Sequence, residues 1–273
     1  MTLYLIGAGP GAADLITVRG AAILRRAHTC LVAGSLVPEE MLALCAPTAH
    51  IIDTARMPLA QIVSHIVDAD RAGGDIARLH SGDLSLYSAV TEQVAQVQAA
   101  GIDVQWVPGV PAFSAAASAL ESELTVPGVG QSLLVTRVST LSTDMPAGED
   151  LASLATAGVT LALHLAAHQS HQIADTLIPH YGATCPTATV AFASRPEQQI
   201  VRCQLADLPS ALAAADIRRT AVIFVGPVLD THHPDRIDSY LYSQARMTKL
   251  RNDSRHNAPT GDGEAVDGGE DSR

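Results

Sequence analysis

The sequence predicts an α/β protein with two α/β domains, the first built on a mainly parallel five-stranded sheet and the second on a mixed sheet. The first half alternates short apolar runs with helical patterns, as parallel sheets covered by helices do. Two apolar runs of the second half are separated by a single turn, which indicates an antiparallel pair. The length of 273 residues corresponds to about two domains of ordinary size.

Apolar runs and helical spacing predict the elements of the first half. Five runs are predicted to be strands, at residues 3–6, 30–32, 50–52, 76–79 and 104–107. The clearest helix spans Leu59 to Ala72, where Ile62 and Ile66 recur at helical spacing. Pro58 suits its first turn and Gly73 suits its end. We therefore expect one sheet of about five strands with helices packed on it.

A change of composition marks the predicted boundary between the domains. Residues 139–150 are rich in Ser, Thr, Pro, Gly and acids without hydrophobic periodicity, which is typical of an exposed linker. Residues 1–138 are then predicted to form the N-terminal domain and residues 151–248 the C-terminal domain. In the C-terminal domain, strands are predicted at 159–165, 187–192, 199–204 and 221–225, and helices at 169–177 and 208–214. The tail 249–273 has no aromatic residue and is predicted to be disordered.

Charge and composition argue against several classes of function. The 17 basic and 28 acidic residues give a net charge of −11, which argues against a nucleic-acid partner. No run approaches the roughly 20 apolar residues that span a bilayer, so we expect a cytoplasmic protein with no membrane partner. The four cysteines form no CxxC pair, and His164, His168 and His171 do not share one helix, so no protein-bound metal is predicted.

A glycine-rich turn follows the first predicted strand. The small residues of Gly7–Ala12 match the dinucleotide-binding fingerprint, and Thr17 can cap the next helix. The fingerprint also expects an acid at the end of the second strand, but residues 33–35 contain none and the next carboxylate is that of Glu39. A turn that only packs a helix on a strand explains the glycines equally well.

Two further loops of small residues follow the fourth and fifth strands. They are HSGDLSLY at residues 80–87 and PGVPA at residues 108–112. Ligands of open parallel sheets bind beyond the carboxyl ends of the strands. All three loops are therefore expected at one ligand-binding edge.

In their order and spacing, GAGPG at residues 7–11, SGDLSLY and PGVPA resemble the loops of the tetrapyrrole methylases, the class III S-adenosylmethionine (SAM) methyltransferases. The resemblance covers about residues 1–248. It implies two α/β domains with SAM in the cleft between them, a tetrapyrrole (corrinoid) substrate and a homodimer. Residues 33–37, 78–83 and 123–127 most resemble members that methylate C-11 of precorrin-4 or cobalt-precorrin-4.

The resemblance also implies a set of positions that contact SAM. They are Pro10, Gly82, Asp83, Leu86, Pro111, Ala112, Leu165, Ala193 and Ala221. The last three are assigned from their strand contexts, and an ordinary core position explains each of them about as well. Many relatives carry a hydroxyl side chain where this chain has Pro111, which leaves only backbone contact there.

The catalytic candidates are His80, Asp83 and Arg137. His80 can accept a proton near neutral pH, bind a substrate carboxylate or bond a backbone carbonyl, and Glu121 and Glu123 are alternative bases. Asp83 is either aimed at a ligand or caps a turn. A guanidinium suits a carboxylate of the substrate, although a surface ion pair is the alternative for each of the four arginines near strand ends: Arg56, Arg78, Arg137 and Arg195.

Four functions remain open from the sequence. The favoured one is methyl transfer from SAM to C-11 of precorrin-4 or its cobalt form, which needs alignment of two reactants more than acid–base groups. A sister methylase would act on another ring carbon. A dinucleotide-dependent oxidoreductase would bind NAD or a flavin, and a tetrapyrrole carrier would bind a corrinoid without needing SAM.

Overall fold

The computed structural model describes residues 1–34, 37–139, 144–156 and 158–249. The first sheet consists of β1 (Thr2–Gly7), β2 (Thr29–Val32), β3 (His50–Asp53), β4 (Ile76–His80) and β5 (Asp103–Val107). Its order is β3-β2-β4-β1-β5, and all four pairings are parallel. The predicted five-stranded parallel sheet is therefore confirmed.

Helices cover both faces of this sheet. They are α1 (Val18–Leu24), α2 (Glu39–Leu42), α3 (Leu59–Ala72) and α4 (Val90–Ala99). The first two pack on the face of Ile6 and Leu79, and the last two on the face of Leu3 and Leu5, because alternate strand residues point to opposite faces. Within the described ranges, no helix combines the length and apolar character needed to cross a bilayer.

The second sheet is mixed, as predicted. It consists of β6 (Leu133–Arg137), β7 (Thr160–His164), β8 (Pro186–Ala191), β9 (Gln199–Gln204) and β10 (Ala221–Val225), in the order β6-β7-β10-β8-β9. Only β6 and β7 are parallel among these pairings. One face packs on α5 (Ala112–Ala119), and the other packs on α6 (Leu151–Leu154), α7 (Ser170–Tyr181) and α8 (Leu208–Ala214).

Strand β6 differs from the sequence-based division of the chain. The predicted N-terminal domain, 1–138, includes residues 133–137, but β6 pairs with β7 from Leu133 opposite Thr160 to Arg137 opposite His164. The second sheet therefore takes its first strand from before the predicted linker at 139–150. A short apolar run does not reveal which sheet it joins. Residues 140–143 of that linker and 250–273 of the predicted tail lie outside the described residues.

Helix α5 joins the two halves. It begins three residues after Gly109, and its Ala115, Ala116 and Ala117 are buried against the apolar face of the second sheet. Small side chains allow a helix to approach a sheet closely. The loop after β5 therefore helps to set where the second sheet lies.

The three glycine loops meet through their main chains. A Cβ atom on Gly7 would lie 2.6 Å from the nitrogen of Gly109 and 2.8 Å from the oxygen of Gly82, and one on Gly109 would overlap the oxygen of Gly82. The amide of Gly82 donates to the oxygen of Gly9 at 2.7 Å, and the amide of Gly9 donates to the oxygen of Gly82 at 3.1 Å. Positions 7 and 109 thus have no room for any side chain.

We predict that Gly109→Ala lowers the free energy of unfolding by about 2–4 kcal/mol, because its methyl group must displace two backbone segments. The measurement is denaturant unfolding of the full chain. Gly101→Ala is the control, since Gly101 has nothing within 4 Å of an added Cβ, so its only cost is the strain of about 1–2 kcal/mol that a side chain meets at φ +80°. Equal losses in the two variants would contradict the close packing of the loops.

Candidate active site

The predicted site residues lie at two places, each at the strand ends along one edge of a sheet. The first is the carboxyl edge of the first sheet, where the three glycine loops lie. In the second sheet, β6, β7 and β8 run in one direction and β10 in the opposite direction. The ends at Arg137, His164 and Ala191 therefore share an edge with the beginning of β10 at Ala221, and the neighbouring Leu165 and Ala193 follow these strand ends.

The turn after β8 contacts the first glycine loop. The amide of Ala12 donates to the hydroxyl of Ser194 at 3.0 Å. A Cβ atom on Gly11 would lie 2.5 Å from Cγ of Arg195 and 3.2 Å from the oxygen of Ala193. The structure therefore brings the Pro10 loop and Ala193 together, although they are far apart in the sequence.

A contact between rings joins the two halves at a second place. The ring of His164, at the end of β7, lies 5.6 Å from that of Tyr87 and 6.3 Å from that of Phe113, measured between centroids. Tyr87 follows Leu86, Phe113 follows Ala112 and Leu165 follows His164, so the ring contact lies next to three further predicted positions in the sequence. Tyr87 and Leu165 both have φ of 54°, a left-handed conformation that is uncommon outside glycine and frequent at functional sites.

Asp83 ties the second loop to the third. Its Oδ2 accepts from the amide of Gly109 at 2.9 Å, and its Oδ1 accepts from the amide of Ser85 at 2.9 Å and from the hydroxyl of Ser85. Burial raises the pKa of Asp83, but the hydrogen bonds from Ser85, Gly109 and Leu84 together outweigh burial and lower it. Asp83 thus holds the second and third loops together, and its expected contact with a ligand stays a prediction.

Gly82 is buried, but among the glycines of the three loops it leaves the most room for an added Cβ. Its φ is +68°, and the nearest atom to an added Cβ is the nitrogen of Ala112 at 3.9 Å. Both polar backbone groups of Gly82 already bond to Gly9. Gly82 is therefore suited to letting a ligand approach the main chain closely.

His80 is buried at the end of β4, with 9% of its surface exposed. Burial and the nearby positive charge of Arg78 lower the pKa of His80 to about 3. The imidazole is therefore neutral at neutral pH, and so low a pKa makes it a weak proton acceptor. Of the roles expected from the sequence, hydrogen bonding fits this environment better than proton transfer.

Arg137 lies at the end of β6 beside the ring contact. Its guanidinium donates to the oxygens of Val138 at 3.1 Å and Asp144 at 3.2 Å, which ties Asp144 to the end of β6. Burial raises the pKa of Tyr87, and the charge of Arg137 opposes that shift. Arg137 thus lies close enough to act on the ring of Tyr87. Its expected contact with substrate stays a prediction.

Sequence reasoning missed the roles of Tyr87, Phe113 and His164. Tyr87 ends the SGDLSLY motif and Phe113 directly follows PGVPA, so these places beside recognised motifs are the signal that could have found them. His164 was considered only with His168 and His171, and in the described part of the chain no three metal-binding side chains come together. Nothing local to His164 shows that two rings from the other half lie against it.

Comparisons with known proteins agree with this architecture. The sequence matches the family described as Tetrapyrrole (Corrin/Porphyrin) Methylases over residues 2–209. A precorrin-4 C(11)-methyltransferase of Rhodococcus erythropolis is 57% identical over 247 residues, which are 90% of this chain and 98% of that relative.

Two solved structures are similar over most of the chain. The X-ray structure of a cobalamin biosynthetic enzyme, cobalt precorrin-4 methyltransferase, has a TM-score of 0.81 at 37% identity and covers 84% of this chain and 96% of its own. The uroporphyrin-III C-methyl transferase of Thermus thermophilus complexed with S-adenyl homocysteine has a TM-score of 0.69 at 26% identity, with coverages of 84% and 94%. The chain, with its three glycine loops at one sheet edge, belongs to the tetrapyrrole (corrin/porphyrin) methylases.

Proposed function

We propose that this chain transfers a methyl group from SAM to C-11 of precorrin-4 or its cobalt form in cobalamin biosynthesis. The observation that carries the proposal is the 57% identity to the precorrin-4 C(11)-methyltransferase over 98% of that relative. The cobalt precorrin-4 methyltransferase structure is 37% identical. The higher identity to the first relative makes metal-free precorrin-4 the substrate that we expect to react faster.

We assign the SAM site to the strand ends of the two sheets. These ends are joined by the Ala12–Ser194 hydrogen bond and by the contact of His164 with the rings of Tyr87 and Phe113. The room at the Cβ position of Gly82 and the close packing of Gly7 on Gly109 fit a ligand held against the main chain. The similar Thermus thermophilus enzyme was solved with S-adenyl homocysteine, which supports SAM as the ligand of this chain. The nine positions expected from the sequence lie on these edges or in the loops beside them.

The bound SAM supplies an electrophilic methyl group on a positively charged sulfur. The chain has to align donor and acceptor and keep water away, because the transfer is an in-line displacement. Asp83 contributes by holding two loops together. Burial lowers the pKa of His164 to about 4, so His164 is neutral at neutral pH and adds no repulsion to a nearby cation.

The direct test is a reaction of the purified chain with methyl-labelled SAM and either metal-free or cobalt-containing precorrin-4. We expect one labelled methyl group, which mass spectrometry detects and carbon NMR places on C-11. A label on another ring carbon would indicate a sister methylase. Calorimetric binding of NAD without binding of S-adenosylhomocysteine would indicate an oxidoreductase, and corrinoid binding without transfer a carrier.

We predict that Gly82→Val weakens S-adenosylhomocysteine binding by about tenfold or more, because the side chain fills the space in front of the loop. Calorimetry on the full chain measures the dissociation constant. Gly101→Val is the matched control, since Gly101 also has a positive φ and open space but lies in the turn after α4. If both variants bind like the unmodified chain, the loop of Gly82 is not part of the SAM site.

We also propose a cytoplasmic homodimer, which rests on the resemblance noted in the sequence. Large exposed apolar side chains support an association of copies, among them Trp106 at 48% exposure and Tyr242 at 85%. Sedimentation equilibrium should give a mass of about twice 28.4 kDa. A single-chain mass at micromolar concentration would contradict the dimer.

A further inference from the structure

A buried arginine lies in β4, two residues before the carboxyl end of that strand. Arg78 of β4 is 5% exposed, and its Nη1 donates to the hydroxyl of Thr54 at 2.6 Å. That hydroxyl donates in turn to the oxygen of Val32, the last residue of β2, at 2.9 Å. The guanidinium therefore points along β4 toward the ends of β2 and β3, on the edge that carries the glycine loops.

This charge has no acidic partner among the described residues. The exposed arginines Arg26, Arg71 and Arg218 each have a carboxylate within ion-pair distance, but Arg78 has none. Burial lowers the pKa of Arg78 to about 10, which leaves it a cation at neutral pH. Buried charges are ordinarily paired, because removing them from water is costly.

The free donors of Arg78 are of two kinds. Its Nε is buried without a hydrogen-bond partner. Its Nη2 also makes no hydrogen bond to the described residues. Unlike Nε, the Nη2 atom is not fully buried, so Arg78 reaches solvent through it. Adjacent Nε and Nη2 groups form the fork that binds the two oxygens of a carboxylate.

His80 adds a second unpartnered group beside Arg78. The two residues alternate along β4 and so lie on the same face of the sheet, and the charge of Arg78 acts on the imidazole of His80. The Nε2 atom of His80 is buried without a partner. A neutral imidazole offers one N–H donor to an anion.

We propose that Arg78, with His80 beside it and Thr54 holding it, is a subsite for a carboxylate group of a bound ligand. The site has a single positive charge and a two-pronged donor, which fits a carboxylate. Under the proposed function, on which this inference rests, the carboxylate belongs either to the amino-acid part of SAM or to an acid side chain of the tetrapyrrole.

The test variant is Arg78→Met, which has a similar stem and no charge, and the control is Arg71→Met on the exposed face of α3. For each full-length variant we would measure the thermal midpoint without ligand and the binding of three probes. S-adenosylhomocysteine carries the amino-acid carboxylate, 5′-methylthioadenosine lacks it, and uroporphyrin is a stable tetrapyrrole polycarboxylate.

We expect Arg78→Met to keep or raise the thermal midpoint, because it removes an uncompensated buried charge, and to lose about tenfold in affinity for one probe. If the affinity for S-adenosylhomocysteine falls while that for 5′-methylthioadenosine is unchanged, the carboxylate is that of SAM. If only the affinity for uroporphyrin falls, the carboxylate is on an acid side chain of the tetrapyrrole. Arg78→Lys keeps the charge without the fork and should recover part of the lost affinity.

A lower midpoint with all three affinities unchanged would overturn the proposal and make Arg78 a brace between β4 and the end of β3. Equal loss for all probes, methylthioadenosine included, would also overturn it, because the whole site would then be disturbed. None of these measurements requires turnover. A chain that fails to methylate precorrin-4 would therefore contradict the proposed function without deciding the role of Arg78.

Discussion

The contact between the main chains of Gly7, Gly82 and Gly109 is the constraint on which the rest of the structure depends. A parallel sheet brings the carboxyl ends of its strands to one edge. Three loops can share a small part of that edge only if no side chain separates them, and the Cβ distances leave no room for one at Gly7 or Gly109. The bond from Gly109 to Asp83 then holds the second and third loops in register.

The same contact determines where the cleft between the halves lies. Helix α5 starts directly after the third loop and presents its alanines to the second sheet, so a shift of Gly109 would carry the second sheet with it. The bond between Ala12 and Ser194 and the rings around His164 connect the halves at two further places. The packing of the three loops at the end of the first sheet thus sets the geometry of a site that both halves of the chain form.

The charge of the molecule and the charge of its site differ. A net charge of −11 opposes an acidic ligand at long range, yet Arg78, Arg137 and Arg195 all lie on or near the two strand edges. Asp75, Asp68 and Asp216, which pair with Arg26, Arg71 and Arg218, are at least partly exposed, whereas Arg78 is buried with no acidic partner in the part of the chain that the structure describes. Local placement therefore governs recognition of an anion, because screening weakens distant charges more than adjacent ones.

The sequence by itself determined the elements and the loops. Periodicity and glycine or proline positions predicted Leu59–Ala72, Leu208–Ala214, Gln199–Gln204 and Ala221–Val225 with the bounds that the structure has, because backbone preference and one-sided burial are local properties. Three features follow from tertiary packing alone: β6 joins the second sheet, His164 lies against rings from the other half, and His80 is buried beside the positive charge of Arg78. Strand pairing and desolvation depend on residues distant in the sequence, so no local pattern records them.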